Sequence, residues 1–255
     1  MSPDALARKA VKAAALPLGW HRGRRPGDTV ILLYHRIGGD RTEIELSPTA
    51  FERQLRFLSS RERVRSIDDV VGNDGGGVVI SFDDGTRDFY EEVLPLLSTY
   101  RFPVVLYLAT RMAEARTGVT WEQLREAVST GLVTVGSHTH SHADLSRASE
   151  SEADQEMRRS RDLIEDRLGA PCRHFAYPWG VASPGARRAA ERLFLSAALD
   201  TWVTNRRGRT DPLRLGRVPI LRADGQFFFV RKVRGQLDGE RFAYRLLRRG
   251  PWRSP

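Results

Sequence analysis

One stretch, Val78–Gly85, constrains this chain more than any other. It reads V-V-I-S-F-D-D-G. Apolar β-forming residues lead into two adjacent carboxylates and a glycine, the pattern of a buried strand that ends at a polar rim. Two carboxylates held side by side are unfavourable unless a cation or a shared proton compensates them. Taken alone, the D-D-G sequence also fits an Asx turn with Gly85 as the turn residue, so its meaning depends on the rest of the chain.

Composition narrows the class of protein. The 255 residues suffice for one α/β barrel domain, and 40% apolar with 29% charged residues is ordinary for a soluble globular protein. The formal net charge is +9, but the arginines are dispersed and no nucleic-acid-binding motif accompanies them, so no nucleic-acid partner is expected. The single Cys172 excludes an internal disulfide.

Both ends of the chain are basic. We predict a basic N-terminal segment over residues 1–28 and a basic helical extension over residues 223–255 that packs on the domain. Pro17 interrupts the short Ala/Leu run near the start, so we expect neither a signal peptide nor a membrane span, which needs about 18 apolar residues. Helices at Leu6–Leu18 and Phe242–Leu247 would pack on the domain or contact an anionic membrane. A cytoplasmic or membrane-peripheral location is expected, and the oligomeric state is left open.

Strand-like and helix-like segments alternate over residues 29–222, which we predict to be the catalytic domain. This order predicts a mostly parallel sheet with covering helices, closed as a barrel or doubly wound. Helices are predicted to begin after the N-cap residues Ser47, Thr120 and Ser149. The predicted strands are Thr29–His35, Val78–Gly85, Phe102–Ala109, Leu132–Val135, Phe175–Tyr177, Leu193–Ala197 and Val218–Leu221.

Polar residues directly follow the apolar runs of four of these strands. They are His35, the Asp83/Asp84 pair, the His138–His142 segment and Tyr177–Gly180. The carboxyl ends of the strands in a parallel barrel meet at one mouth, so these side chains are expected to converge.

The spacing of His138 and His142 is typical of metal ligands, because a helical turn or a compact loop can direct both imidazoles to one point. Together with Asp84 they would give two nitrogens and one oxygen, a common donor set for a catalytic divalent ion. A His-x3-His pair alone also occurs without a metal, so the prediction depends on its conjunction with D-D-G. His140 is predicted to be a neighbour and not a ligand.

Two motifs together identify a family resemblance. Ser81–Gly85 (S-F-D-D-G) and Ser137–His142 (S-H-T-H-S-H) resemble the T-F-D-D-G and H-[ST]-x-x-H hallmarks of the polysaccharide deacetylase family, which is carbohydrate esterase family 4 with the NodB homology domain. The resemblance covers about Thr29 to Leu221. It implies an α/β fold, a single distorted (β/α) barrel with fewer than eight regular strands. It also implies Asp84, His138 and His142 as ligands of a divalent ion, with zinc preferred, and Asp83 as the general base.

The third family motif, R-x-P-Y-G, is matched with two departures by Ala176–Gly180 (A-Y-P-W-G). Ala176 replaces an arginine that hydrogen-bonds the base. Trp179 replaces a tyrosine whose backbone N–H stabilises the oxyanion, a role that any residue except proline can fill. Asp200-Thr201-Trp202 resembles the fourth motif, whose acid supports the missing arginine. Three arginines are candidates to replace it, and the sequence does not choose between them: Arg173, Arg214 and Arg217.

The last family motif, a C-terminal leucine-x-histidine, is absent. The early L-L-Y-H at Leu32–His35, followed by an F-x-x-Q-L helix at Phe51–Leu55, resembles the permuted motif order of some exopolysaccharide deacetylases. The resemblance implies His35 as the acid that protonates the leaving amine. Taken alone, His35 is an ordinary histidine at a strand end.

The sequence therefore predicts a metal-dependent hydrolase that removes acetyl groups, N-acetyl in preference to O-acetyl, from a carbohydrate or polysaccharide. One alternative is a deacylase of another amide, such as a formylated aminosugar lipid or a cyclic amide. The other is a degenerate domain that binds carbohydrate or membrane without turnover, which Ala176 favours. Tyr177, Trp179 and Trp202 are predicted to offer stacking surface for sugar rings or to pack in the core.

Overall fold

The computed structural model describes residues 23–39, 41–73 and 75–236. Its strands are β1 (Thr29–Tyr34), β2 (Arg36–Ile37), β3 (Glu45–Leu46), β4 (Gly77–Asp84), β5 (Val104–Leu108), β6 (Val133–Ser137), β7 (His174–Ala176), β8 (Ser196–Leu199) and β9 (Leu215–Pro219). Its helices are α1 (Pro48–Arg61), α2 (Ile67–Val71), α3 (Leu94–Tyr100), α4 (Trp121–Ser129), α5 (Glu150–Leu168), α6 (Pro184–Leu193) and α7 (Gly225–Val233).

Within this described part, seven parallel strands close into a barrel in the order β1-β4-β5-β6-β7-β8-β9. The barrel closes because β1 pairs with β4 on one side, ending at Tyr34 opposite Phe82, and with β9 on the other, where Ile31 lies opposite Arg217. The predicted distorted (β/α) barrel is thereby confirmed, and the doubly wound alternative is wrong.

The barrel strands are nearly continuous apolar runs because both of their faces are buried. All six residues of β1 are buried. Alternate residues contribute to two separate apolar clusters. The larger cluster packs the outer strand faces against the helices, and Leu32 and Leu55 are among its members. The smaller cluster fills the barrel with Ile31, Ile67, Val79, Val105, Tyr107, Ala176, Ala198 and Leu215.

The predicted N-caps are confirmed. The Ser47 side chain accepts a hydrogen bond from the backbone N–H of Ala50, so α1 begins where the sequence indicates. Thr120 and Ser149 each form a reciprocal capping box, with Gln123 and Glu152 respectively. Each such cap contributes about 1 kcal/mol to helix stability.

Two predicted strands are displaced. The strand predicted at Leu193–Ala197 lies at Ser196–Leu199, because good helix formers continue α6 through Leu193. The strand predicted at Val218–Leu221 begins earlier, at Leu215, because a buried arginine interrupts its apolar run.

The basic ends were predicted to be helical. Helix α7 falls within the predicted C-terminal extension, whereas Leu6–Leu18 and Phe242–Leu247 lie outside the described residues. The domain limits at residues 29 and 222 therefore stay a prediction. None of the helices in the described part is both long and apolar enough to cross a membrane.

Candidate active site

Asp83 and Asp84 end strand β4 at the mouth of the barrel. Successive strand residues normally point to opposite faces. Asp84 breaks this alternation with a left-handed φ of 72°, so both carboxylates approach one histidine: His138 Nε2 lies 3.5 Å from Asp83 Oδ2 and 3.8 Å from Asp84 Oδ1. Gly85 continues the turn with a φ of 87°, and a Cβ there would collide with the Leu108 side chain. The D-D-G sequence thus forms a turn that places both carboxylates near His138.

The His138 ring is oriented by a backbone carbonyl. Its Nδ1 lies 2.8 Å from the carbonyl oxygen of Ala176, and because a carbonyl only accepts, the proton must be on Nδ1. In the neutral ring, Nε2 then carries the lone pair, and it faces the two aspartates. A histidine fixed in this tautomer by a second group is the usual arrangement of a metal ligand.

His142 completes a compact donor set. Its Nε2 lies 3.4 Å from Asp84 Oδ1, and its ring centroid lies 5.0 Å from that of His138. Burial and the neighbouring His138 lower the pKa of His142, although the Asp84 carboxylate acts in the opposite direction. The ring is therefore neutral near pH 7, as a ligand must be.

The three predicted ligands fit a divalent cation. One donor atom from each of Asp84, His138 and His142 lies within 4.8 Å of the others. Asp84 Oδ1 is buried and accepts no hydrogen bond within the described part of the chain. A buried carboxylate oxygen without a partner is costly, and a cation at this point would satisfy it. Two imidazole nitrogens and one carboxylate oxygen suit zinc and similar ions.

Asp83 has a different partner, the guanidinium of Arg217. Arg217 Nη1 and Nη2 donate to the two Asp83 oxygens at 2.5 and 2.8 Å, and Nη2 also donates to Asp200 Oδ1 at 3.0 Å. Burial alone would raise the pKa of Asp83, but the charge and hydrogen bonds of Arg217 outweigh it and lower this pKa to about 2. Asp83 is therefore ionised at any pH at which the protein would be assayed.

Arg217 was one of three candidates for the missing guanidinium. Arg173 and Arg214 are exposed, whereas Arg217 is fully buried in the middle of β9. The guanidinium beside Asp83 thus comes from β9 and not from position 176. Asp200, the acid of the fourth motif, contacts this same arginine.

Gly180 packs directly against Asp200. Its φ is 64°, and a Cβ there would collide with the Asp200 side chain. Trp179, just before it, also has a left-handed φ of 60°. Its ring lies edge-on to His142 with centroids 5.1 Å apart and is 47% exposed. At the mouth of the barrel, Gly180 therefore lies against Asp200, and the Trp179 ring lies beside His142.

Of the three aromatic residues predicted to stack on sugars, only Trp179 is exposed. Tyr177 and Trp202 are buried, so a stacking role for these two is wrong. Tyr177 packs edge-on against Phe175, and the Trp202 ring is covered by the ammonium of Lys232, 4.6 Å from its centroid.

His35 is brought beside Asp83 by strand register. It follows Tyr34, which pairs with Phe82 on the neighbouring strand, so His35 lies next to Asp83. Its Nδ1 is buried and has no hydrogen-bond partner among the described residues. His140, by contrast, turns aside: its Nδ1 lies 2.8 Å from Thr110 Oγ1, which agrees with its prediction as a neighbour of the ligands.

Replacing Arg217 with methionine should lower the free energy of unfolding by about 3–5 kcal/mol, because Asp83 would remain buried without a counter-charge. Chemical denaturation would measure this loss. The matched control is Arg214→Met, which removes an exposed arginine from the same segment and should change stability by less than about 0.5 kcal/mol. Equal stability of the two variants would contradict the ion pair.

The closed parallel barrel with acids and histidines at its mouth is the arrangement of a barrel enzyme. Comparison with known families makes this specific: the polysaccharide deacetylase family model matches residues 71–198. The chain belongs to the polysaccharide deacetylase family, which confirms the resemblance found in its motifs.

Individual relatives are distant. The chain is 23% identical over 181 residues to the Bacillus subtilis protein YxkH, covering 68% of this chain and 64% of that one. It is 24% identical over 189 residues to a poly-beta-1,6-N-acetyl-D-glucosamine N-deacetylase of Staphylococcus aureus, covering 66% and 65%. The chain thus spans slightly less than two thirds of the length of these relatives.

Solved structures show the same fold. The deacetylase PplD of Streptococcus pyogenes, solved with acetate, superposes with a TM-score of 0.72 at 23% identity, covering 82% of this chain and 99% of that one. IcaB of Ammonifex degensii gives a TM-score of 0.71 at 22% identity, covering 83% and 97%.

Proposed function

We propose that this protein is a metal-dependent hydrolase that removes N-acetyl groups from a carbohydrate or polysaccharide. The observation that carries the proposal is the conjunction of an ionised, arginine-held Asp83 with the donor set of Asp84, His138 and His142 at one mouth. Family membership supports it, and one relative bears the name of an N-deacetylase of an aminosugar polymer.

Asp84, His138 and His142 would hold the divalent ion, with zinc as the preferred candidate. When bound, such an ion polarises an acyl carbonyl and lowers the pKa of water. His138 serves as a ligand only in the tautomer that the Ala176 carbonyl imposes. Asp84 would contribute the only carboxylate of this donor set. Its neighbour Asp83 is paired with Arg217 instead.

Asp83 is the proposed general base. Both of its oxygens accept hydrogen bonds from Arg217, which fixes the direction in which a remaining lone pair can accept a proton from water. A carboxylate whose pKa is held near 2 keeps a proton only briefly. The proton that Asp83 accepts therefore passes on to solvent, and the leaving amine must receive its proton from a different group.

Two further groups complete the reaction. The backbone N–H of Trp179 is proposed to donate to the oxyanion, and His35, which lies next to Asp83, is proposed to protonate the leaving amine. The exposed Trp179 ring, next to His142, would face a sugar bound over the site.

The alternative function, a domain that binds carbohydrate or membrane without turnover, has lost its main support. It rested on Ala176 in place of an arginine, and Arg217 now supplies a guanidinium to Asp83. Hydrolysis of another amide differs from the proposal only in substrate.

Acetate release from a panel of substrates tests the proposed function. The panel should hold N-acetylglucosamine oligosaccharides, an O-acetylated glycan and a formylated aminosugar, each assayed with a chelator and again after zinc is restored. We expect release from the N-acetylated sugars, abolished by the chelator and recovered with metal. Formate release alone would shift the substrate to the other amide class, and no release from any substrate would contradict hydrolysis.

Replacing His35 with alanine should separate amide from ester substrates. The leaving nitrogen of an amide must be protonated, whereas a good ester leaving group needs no proton. We expect turnover of the N-acetyl substrate to fall about 10²-fold or more, with a far smaller loss on an acetyl ester and unchanged metal content. Equal losses on both substrates would assign His35 to substrate positioning instead.

A further inference from the structure

The loop that carries both histidines is held by a carboxylate from a neighbouring helix. Glu156, on α5, accepts at Oε2 from the backbone N–H groups of His140 and Ser141 at 3.0 and 2.9 Å. Its Oε1 accepts from the Ser141 hydroxyl at 3.0 Å. All three contacts fall between the two predicted ligands, His138 and His142.

The opposite side of this loop is also tied down. The short 3-10 helix Thr110–Glu114 donates backbone N–H groups to the carbonyls of Thr139 and His140 at 3.2 and 2.9 Å. The His140 ring contacts the Thr110 hydroxyl. The backbone between the two ligands is therefore held by acceptors on one side and by donors on the other.

This loop needs such restraint because its conformation is unfavourable. Thr139 and His142 both have left-handed φ values, 66° and 60°. For residues with a Cβ such a conformation is unfavourable and persists only where the surroundings impose it. His138 is anchored independently, since its ring contacts the Ala176 carbonyl and its N–H donates to Leu108. Loss of restraint would thus displace His142 relative to His138.

We propose that Glu156 is a positioning residue that fixes His142 against His138 and Asp84 and so raises the affinity of this site for a divalent ion. The inference rests on the proposed function, because that function supplies the metal. It assigns the effect to hydrogen bonds and not to the negative charge of Glu156. A change at Glu156 should therefore alter metal affinity according to which hydrogen bonds the new side chain can make.

Zinc affinity, measured by competition with a chromophoric chelator, tests the proposal. Glu156→Ala removes all three hydrogen bonds and should weaken zinc binding about 10- to 100-fold, as loss of groups that orient metal ligands usually does. Glu156→Asp keeps the charge but withdraws it by one methylene, and should weaken binding about 10-fold. Glu156→Gln should stay within about threefold of wild type, because its amide oxygen can accept from both N–H groups and its amide nitrogen can donate to Ser141 Oγ.

The matched control is Glu165→Ala on the same helix. Glu165 also accepts from a backbone N–H, that of Cys172 at 3.0 Å, but it lies about 13 Å further along the helix. The Glu165→Ala variant should lower the thermal stability of the metal-free protein, as Glu156→Ala should, but it should leave zinc affinity unchanged. A purely structural role for Glu156 would make these two variants alike.

The outcomes are distinct. Wild-type affinity in Glu156→Ala, or in Glu156→Asp if the alanine variant does not fold, would overturn the inference alone. A Glu156→Gln variant that binds zinc as weakly as Glu156→Ala would also overturn it, since the charge of Glu156 and not its hydrogen bonds would then matter. Absence of zinc binding by the wild type would instead contradict the proposed function itself.

Discussion

Asp83→Asn is expected to keep about one divalent ion per chain and to lose about 10²- to 10⁴-fold in turnover of an N-acetylated sugar. An amide preserves the shape of the side chain but cannot accept a proton from water at neutral pH. Metal content and initial rates of acetate release are the two measurements. The loss should fall on kcat, because Asp83 is proposed to act on the reacting water and not to hold the sugar.

Asp211→Asn provides the control for this substitution. Asp211 is an exposed acid whose side chain accepts from the backbone N–H of Leu213, and its amidation should leave both turnover and metal content unchanged. An Asp83→Asn protein that turns over normally would remove Asp83 as the base. A variant that loses the ion would make Asp83 a ligand.

Asp84→Ala and His138→Ala should each lower metal content to about a tenth of wild type or less, and activity with it. Each substitution leaves only two of the three proposed donors, and catalytic zinc sites are usually held by three protein ligands. Elemental analysis of protein dialysed at equal free zinc would measure the loss. Wild-type metal content in both variants would exclude this donor set.

The results expected for Asp83→Asn and Asp84→Ala differ because these adjacent acids have different partners. Two neighbouring carboxylates need compensating charge, and Arg217 provides it for Asp83 through two hydrogen bonds. Asp84 has no such cation, and its buried Oδ1 accepts nothing from the described residues. This difference supports the proposed roles of the two acids, proton transfer for Asp83 and metal binding for Asp84.

The donor set could be predicted from sequence because its signals are local. D-D-G and H-x-x-x-H each place their side chains within one turn of chain, directly after an apolar strand. The serine and threonine caps of α1, α4 and α5 were predictable for the same reason, since a cap depends on residues three positions apart.

Arg217 could not be chosen from sequence because its environment is made by the closure of the barrel. It lies 134 positions from Asp83 and is buried only because β9 pairs with β1. One signal was available: Arg217 lies two positions after Leu215, which faces the barrel interior, and residues two apart in a strand share a face. A charged residue at an inward position of a buried strand indicates a buried partner.

Glu156 gave no such signal. Helix α5 carries many charges, and a glutamate on the exposed side of a helix is usually solvated. Only the path of the histidine loop over α5 converts this surface acid into an acceptor for two backbone N–H groups. A contact between a helix and a distant irregular loop produces no periodic pattern in the sequence, so Glu156 could not be identified from it.

Acetyl hydrolysis is proposed to depend on one divalent ion held by Asp84, His138 and His142. The most direct test is a titration of the metal-free protein with zinc while acetate release from an N-acetylglucosamine oligosaccharide is followed. We expect no release without zinc, a linear rise, and saturation at about one ion per chain. Full activity before zinc is added would contradict the claim, as would no release at any zinc concentration.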